Sequence, residues 1–344
     1  MQARMSLQEL AQKVIDTKKI KADYITPSNL MSMNDDGTLK LGLSGNNYGV
    51  GIIAHEQLSS KLGIPKPYYD RMLSNDIGLL ADNVNVWLKK SEDRRMVRTV
   101  GGYARAILSD RYRPLDNDMI LEAVMPTLME HKGLEVLSTE ITDRRLYLQV
   151  ASKKLEGEVK TGEVVRQGIT ISNSEVGLGS IKVEPMLYIL KCLNGAIMAT
   201  AMRKYHLGKQ IEADNYGYFS QDTINVDNVA FLMKIKDTVK GSFDELEFKQ
   251  TLDKVSVTAK RKIETNFTTV IEDVTKRFDL NKSEGESILE NLAKGGDFTQ
   301  WGLSNAVTSL ANTIHDYDRA IDLQRIGGRI IDLTDKEWNE VAND

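Results

Sequence analysis

The stretch Arg94-Arg95-Met96-Val97-Arg98-Thr99-Val100-Gly101-Gly102-Tyr103-Ala104-Arg105-Ala106-Ile107-Leu108-Ser109-Asp110-Arg111-Tyr112-Arg113-Pro114 decides the fold. Two runs rich in β-forming residues flank Gly101-Gly102, a pair that accepts the positive φ of a two-residue hairpin turn. A β-hairpin is expected here, with Val100 opposite Tyr103 and Arg98 opposite Arg105. In that register Val97, Thr99, Ala104, Ala106 and Leu108 share one face, and Met96, Arg98, Val100, Tyr103, Arg105 and Ile107 share the other. The small apolar face is expected to look inward. A continuing second strand carries Ser109, Arg111 and Arg113 on the arginine side until Pro114 removes a ladder donor and ends it.

Directly opposed like charges destabilise a sheet, so Arg98 and Arg105 require a compensating anion. The internal candidates are Asp110, Asp116 and Asp118, which would form a buried polar network. The external candidate is phosphate. Guanidinium forks beside tyrosine rings suit a phosphodiester backbone with stacked bases. Arginine-rich hairpins also occur at subunit interfaces. The candidate nucleic-acid-binding set is Arg94, Arg95, Arg98, Tyr103, Arg105, Arg111, Tyr112 and Arg113.

The charge distribution narrows the kind of anion site. The 344-residue chain has a formal net charge of -4, yet residues 89 to 113 hold eight Lys or Arg against three acidic residues. A basic patch on an acidic body favours a localised site over general coating of duplex DNA. A content of 41% hydrophobic and 27% charged residues is ordinary for a soluble globular protein with room for two domains. No run of eighteen apolar residues marks a membrane span, and Met1 to Lys21 lacks an unbroken apolar signal segment, so an intracellular protein without membrane contact is expected. Cys192 is the only cysteine, which excludes an internal disulfide and any multi-cysteine zinc site. Its apolar setting, Tyr188 to Leu193, favours a buried thiol over a nucleophile paired with His206. No cofactor or metal is assigned.

Outward from the hairpin, the chain divides into a mixed half and a helical half. Residues 55 to 73 read as a helix, a break at Gly63 and a second helix opened near Pro65 and Pro67, a packing unit rather than a base-reading helix-turn-helix. A helix is expected from Asp118 to His131, then a hairpin of Leu134 to Ile141 and Leu146 to Val150. Val164 to Ser172 and Ile181 to Leu190 form a third strand pair around the loop Asn173 to Ser180. Gly177-Leu178-Gly179 in that loop lacks the following helix that a dinucleotide site needs, and no Walker phosphate loop is present. A helical run is expected after Cys192-Leu-Asn-Gly195 to about Gly208, and helices over Asn225 to Ile271, Asp279 to Gly296 and Trp301 to Leu323, with a break at Gly327-Gly328 before an acidic end. The fold class is α+β: antiparallel hairpins with packed helices in the N-terminal and central part, and a mainly α-helical C-terminal part. The expected divisions are an N-terminal segment 1–44, a mixed domain 45–222, a helical domain 223–330 and an acidic tail 331–344.

Four segments carry a family resemblance: Ile107-Leu-Ser-Asp-Arg-Tyr-Arg-Pro-Leu-Asp-Asn117, the Asn173-Ser174 loop with its glycines, Cys192-Leu-Asn-Gly195, and Trp301-Gly-Leu-Ser-Asn-Ala-Val-Thr308. In order and spacing, across about residues 45 to 315, the chain resembles the phage/plasmid-like proteins of a domain-of-unknown-function family. It departs from them at Asn194-Gly195-Ala196, where the family often has Asn-Thr-Leu. The resemblance implies an origin on a phage or conjugative plasmid, hence the cytoplasm of a bacterial host, and supplies no settled activity. The leading expectation is a homo-oligomeric accessory protein that binds single-stranded nucleic acid in annealing, recombination or protection. One alternative is an interaction protein that inhibits or sequesters a host defence component. The other is a metal-dependent nuclease built on Asp110, Asp116 and Asp118, although Asp116 before Asn117 also suits a helix cap.

Overall fold

The structure is a computed structural model that describes residues 5–42, 45–179, 181–198 and 221–342. Helix α1 (Leu7–Ile20) starts at a capping box between Ser6 and Glu9 and buries Leu10 and Val14. Strand β1 (Lys21–Pro27) leads through a short turn to β2 (Met31–Met33), β3 (Leu39–Leu41) and β4 (Asn47–Val50). Helices α2 (Ile52–Lys61), α3 (Lys66–Asn75) and α4 (Ile77–Lys90) precede the hairpin of β5 (Arg94–Val100) and β6 (Tyr103–Ser109). These strands form one sheet in the order β1-β5-β6-β4-β3-β2, in which only the β4–β6 pair is parallel. Apolar side chains of α2, α3 and α4, among them Leu58, Tyr69 and Leu80, pack with Val97, Ala104 and Ile107 in its core, so the helix pair around Gly63 is a packing unit.

The hairpin turns at Gly101-Gly102 with Val100 opposite Tyr103, but one bulge changes its faces. Thr99 pairs with Ala104 and Arg98 with Ala106, which leaves Arg105 as the extra residue. Arg98 and Arg105 therefore do not oppose each other, correcting the expected register. Beyond the bulge the faces exchange: Ile107 joins Val97 in the first core, while Ala106 and Leu108 join Met96 in a separate cluster with Ile53 and Val176. The second strand ends at Ser109, because the Tyr112 N–H turns back to the Ser109 carbonyl. Arg111 and Arg113 are thus not strand residues.

Helix α5 (Asn117–Glu130) crosses to a five-stranded antiparallel sheet of β7 (Leu134–Ile141), β8 (Leu146–Lys160), β9 (Glu163–Asn173), β10 (Lys182–Ile189) and β11 (Asn194–Ile197), ordered β11-β10-β9-β8-β7. Leu146, Leu148, Val150, Ile169 and Ile171 pack with α1, α5 and α6 (Gln221–Gly241). Tyr147 and Met186 on the other face meet Tyr317 and Ile321. The segment after Cys192 is strand β11 rather than helix up to Ile197; the helical run expected further on falls at residues 199–208, outside the described residues.

The C-terminal helices are α7 (Glu245–Thr258), α8 (Phe267–Arg277), α9 (Lys282–Gly295), α10 (Gln300–Leu310), α11 (Tyr317–Ile331) and α12 (Asp335–Ala342). The fold is therefore α+β, as expected. The single helix read from Trp301 to Leu323 is two, separated by a turn after Leu310. Gly327-Gly328 does not break the chain but lies within α11, where a Cβ at Gly328 would fall 1.8 Å from the Ile197 carbonyl oxygen and one at Gly327 2.2 Å from Thr308 Cγ2. Gly328 lets α11 pack closely on β11, and Gly327 lets it pack closely on α10. The acidic end forms α12 and buries Trp338 and Val341.

His55 on α2 is hydrogen-bonded through Nδ1 to the Tyr69 hydroxyl at 2.8 Å. Burial, with a smaller contribution from Lys66 that Asp70 opposes, pushes its imidazole down to about 4. The folded chain thus binds this proton less readily than the unfolded one. The associated stability is complete above the ordinary histidine value of about 6.5 and is lost as pH falls toward 4. We expect a decline on the order of 1–2 kcal/mol across that interval after allowance for solvent screening. Urea unfolding at pH 7 and pH 4.5 checks this, and His55→Gln should flatten the profile.

Candidate functional site

Lys18 at the end of α1 and Lys21 at the start of β1 lie over the first turn of α5. Lys21 Nζ donates to Asp116 Oδ2 at 2.7 Å and to Asp118 Oδ1 at 2.6 Å, while Lys18 Nζ lies 2.7 Å from Asp118 Oδ2. Asp116 occupies the N-cap position of α5, but its side chain makes no cap bond; the carboxylate is committed to Lys21 and Arg98 instead. Arg98 is 1% exposed and uses its whole fork: Nε to Asp23 Oδ1 at 2.9 Å, Nη2 to Asp116 Oδ1 at 2.6 Å, and Nη1 to the Glu175 carbonyl at 2.9 Å. Glu175, on the loop after β9, accepts from the Asn117 N–H and from Arg105 Nη1, each at 2.9 Å.

Four cations, Lys18, Lys21, Arg98 and Arg105, are thereby set against the carboxylates of Asp23, Asp116, Asp118 and Glu175. Burial acts to raise the Asp116 carboxyl, but the Arg98 charge and hydrogen bonds from Lys21 and Arg98 outweigh it and hold it below the usual range. Burial likewise opposes ionisation of Asp118, which Lys18 and Lys21 hold low. Four cations face four carboxylates, so the formal charges of the network balance internally.

A cleft of about 420 Å³ opens beside it, lined in part by Val14, Lys21, Ile53, Arg105, Asp118 and Glu175. The start of α2 also lines it, and its N-cap Gly51 offers no side-chain acceptor to the first-turn N–H groups. Tyr103, another lining residue, is 64% exposed, and its ring lies where a Cβ on Gly49 would come within 2.6 Å. Arg105 is the incompletely satisfied member of the cluster. Its Nη1 holds Glu175, whereas Nε and Nη2 are buried with no hydrogen-bond partner among the described residues. Those two donors form one edge of the guanidinium, the edge that binds a carboxylate or phosphate with two parallel hydrogen bonds.

The eight sequence candidates are distributed unevenly about this site. Arg105 and Tyr103 line the cleft. Arg98 is internal, correcting its placement on a binding face, because it is buried and each of its three nitrogens is bonded to an internal acceptor. Arg113 is half-buried and bonded to Asp227 at 2.8 Å, and Arg95 is held by Asp93 at 2.5 Å. Arg94 and Arg111 are exposed. Tyr112 is half-buried, with its ring centroid 5.9 Å from Arg98 Cζ and its hydroxyl on the Ser174 carbonyl. Lys18, Lys21, Asp23 and Glu175 were missed. The pair Asp116 and Asp118 was a local signal for the lysines, which come from 95 or more residues away.

The internal carboxylates are not quite those expected. Asp110 stays at the turn beside Ser109, while Asp116 and Asp118 gather with Glu175, their ligand oxygens within 4.8 Å of one another. Lys21 Nζ already occupies the position between the two aspartates. Cys192 is half-buried and burial raises its thiol; His206 lies outside the described residues. No helix among the described residues is long and apolar enough to cross a membrane.

The segments that carried the sequence resemblance meet in pairs. Asn173 Nδ2 donates to the Leu115 carbonyl and to Asn117 Oδ1, both at 2.9 Å, joining the first motif to the second beneath the cleft. Asn194 Nδ2 donates to Thr308 Oγ1 at 2.8 Å, joining the third to the fourth at a structural seam. The model of one protein family, described as a domain of unknown function (DUF932), matches residues 105–324. No curated protein and no solved structure matches the chain.

Proposed function

Because the chain belongs to the DUF932 family, a domain of unknown function, its activity has to be argued from the site, and we propose that it binds single-stranded nucleic acid in the cleft beside Arg105. The observation that carries this reading is the unpartnered Nε and Nη2 edge of Arg105. A buried donor left without a partner costs about 1–3 kcal/mol. A phosphate that enters the cleft and draws this edge outward satisfies both donors at once. Lys18, Lys21 and the first turn of α2 supply further positive potential, Tyr103 offers an exposed ring for a base, and the apolar lining suits the base's faces. The reading keeps Tyr103 and Arg105 from the original candidates, treats Arg98 as scaffold and adds the two lysines. Origin on a phage or plasmid, a role in annealing, recombination or protection, and assembly of copies through the helical half belong to the same proposal.

The test is a fluorescence-anisotropy titration of single-stranded and duplex oligonucleotides at low and physiological salt. Single-strand binding that weakens with salt is expected, and Arg105→Ala should reduce affinity about tenfold or more, the scale of a lost charge-assisted bond. No binding by folded protein would overturn the reading and turn attention to a host protein partner. A second reading, a metal-dependent nuclease, draws on the clustered oxygens of Asp116, Asp118 and Glu175. It requires a divalent ion to displace Lys21 Nζ, so magnesium- or manganese-dependent cleavage that Asp118→Asn abolishes without loss of binding would favour it.

A further inference from the structure

The loop between β9 and β10 separates the first cleft from a second one of about 350 Å³, lined by Arg111, Tyr112, Arg113, Ser174, Gly177 and Gly179 among others. Four carbonyls of this loop are tied down by side chains from both sheets and their connections: Ser174 by the Tyr112 hydroxyl, Glu175 by Arg98, Val176 by Gln57 and Leu178 by Arg145. Two of its N–H groups, those of Val176 and Leu178, turn to the Ser174 hydroxyl. The N–H groups of Gly177 and Gly179 have no such partner among the described residues. Both glycines adopt positive φ, 77° and 126°, and neither places a side chain between backbone and solvent. Carbonyls held by side chains, beside two positive-φ glycines that line a hollow with Arg111 and Arg113, are a combination that favours an oxyanion.

We infer that this second cleft is a phosphate subsite for the same strand that occupies the first. The inference rests on the proposed single-strand reading and adds that Arg111 and the Gly177–Gly179 backbone engage a neighbouring phosphate. The wall shared by the two clefts is short: Glu175 lines one and Ser174 the other. The Arg98–Tyr112 contact and the three Arg98 hydrogen bonds hold this wall in place. Phosphate recognition by backbone N–H and arginine carries no base information, so binding should be tolerant of sequence.

The experiment is a length series of thymidine monophosphate, dT4 and dT12 titrated against the native protein, Arg111→Ala and Arg105→Ala. Arg111 is exposed, and urea unfolding of each variant before titration checks that it is folded. Affinity should rise with length. Arg111→Ala should weaken dT12 roughly fivefold, make its log–log salt slope shallower by about 0.7, and leave thymidine monophosphate binding unchanged. If dT12 binding depends on Arg105 while Arg111→Ala alters neither its affinity nor its salt slope, the inference is overturned and the first-cleft reading stands. If none of the three ligands binds at low salt, both fall.

Discussion

Replacing Arg98 by methionine is expected to cost about 3–5 kcal/mol of stability, the typical penalty for breaking a buried ion pair from one side. The substitution keeps an unbranched side chain of moderate length but removes all three hydrogen bonds. It leaves the Glu175 carbonyl without its donor and Asp116 supported only by Lys21. Asp23 is less affected because it is 30% exposed at the side chain and water can replace its partner. Urea unfolding measures the loss. Arg94→Ala, at an exposed position of the same strand, should change stability by no more than about 0.5 kcal/mol. Adding Asp116→Asn to Arg98→Met should recover part of the loss, because the two residues share one network and their effects do not add. A cost for Arg98→Met equal to that of Arg94→Ala would show that Arg98 is not part of the scaffold.

Trp301→Ala is expected to cost a similar about 3–5 kcal/mol, for a different reason. Trp301 is fully buried at the start of α10, packed with Val165, Leu187, Ile189 and Ile331, and its Nε1 donates to Glu163 Oε2 at 2.6 Å. Alanine there opens a cavity between the five-stranded sheet and the C-terminal helices. Phenylalanine should cost less, because it refills much of the volume and removes only the N–H donor, a loss of about 1–3 kcal/mol. Glu163 retains Lys160 and Lys191 at 3.5 Å each, which moderates that loss. Guanidinium unfolding of the two variants separates packing from hydrogen bonding. Equal losses would mean that the hydrogen bond, rather than the ring, dominates the joint.

Local pattern made much of the fold legible. The Gly101-Gly102 hairpin, the helix pair around Gly63, the helix beginning near Asp118 and the hairpin that turns between Ile141 and Leu146 all rest on periodicity and turn chemistry within a few residues. The misreadings each depend on something non-local. Arg98 and Arg105 were expected to face each other because strict alternation has no room for the bulge that makes Arg105 the extra residue. Gly327-Gly328 looked like a helix end, whereas the approach of α11 to Ile197 and Thr308 is what requires residues without side chains. Arginine clustering did point to the candidate cleft. Which arginine faces a ligand depended on Lys18, Lys21, Asp23 and Glu175, remote in sequence and ordinary in their local settings.

The central claim is that a nucleic-acid strand lies in the cleft between the hairpin and the Glu175 loop, with Arg105 on a phosphate and Tyr103 against a base. Photo-crosslinking of a 5-iodouracil-substituted single strand, followed by peptide mapping by mass spectrometry, tests it most directly. The account expects the crosslink on Tyr103, and its loss in Arg105→Ala at the same oligonucleotide concentration. A crosslink confined to the C-terminal helices, or an Arg105→Ala protein that still crosslinks at Tyr103 with undiminished yield, would contradict it.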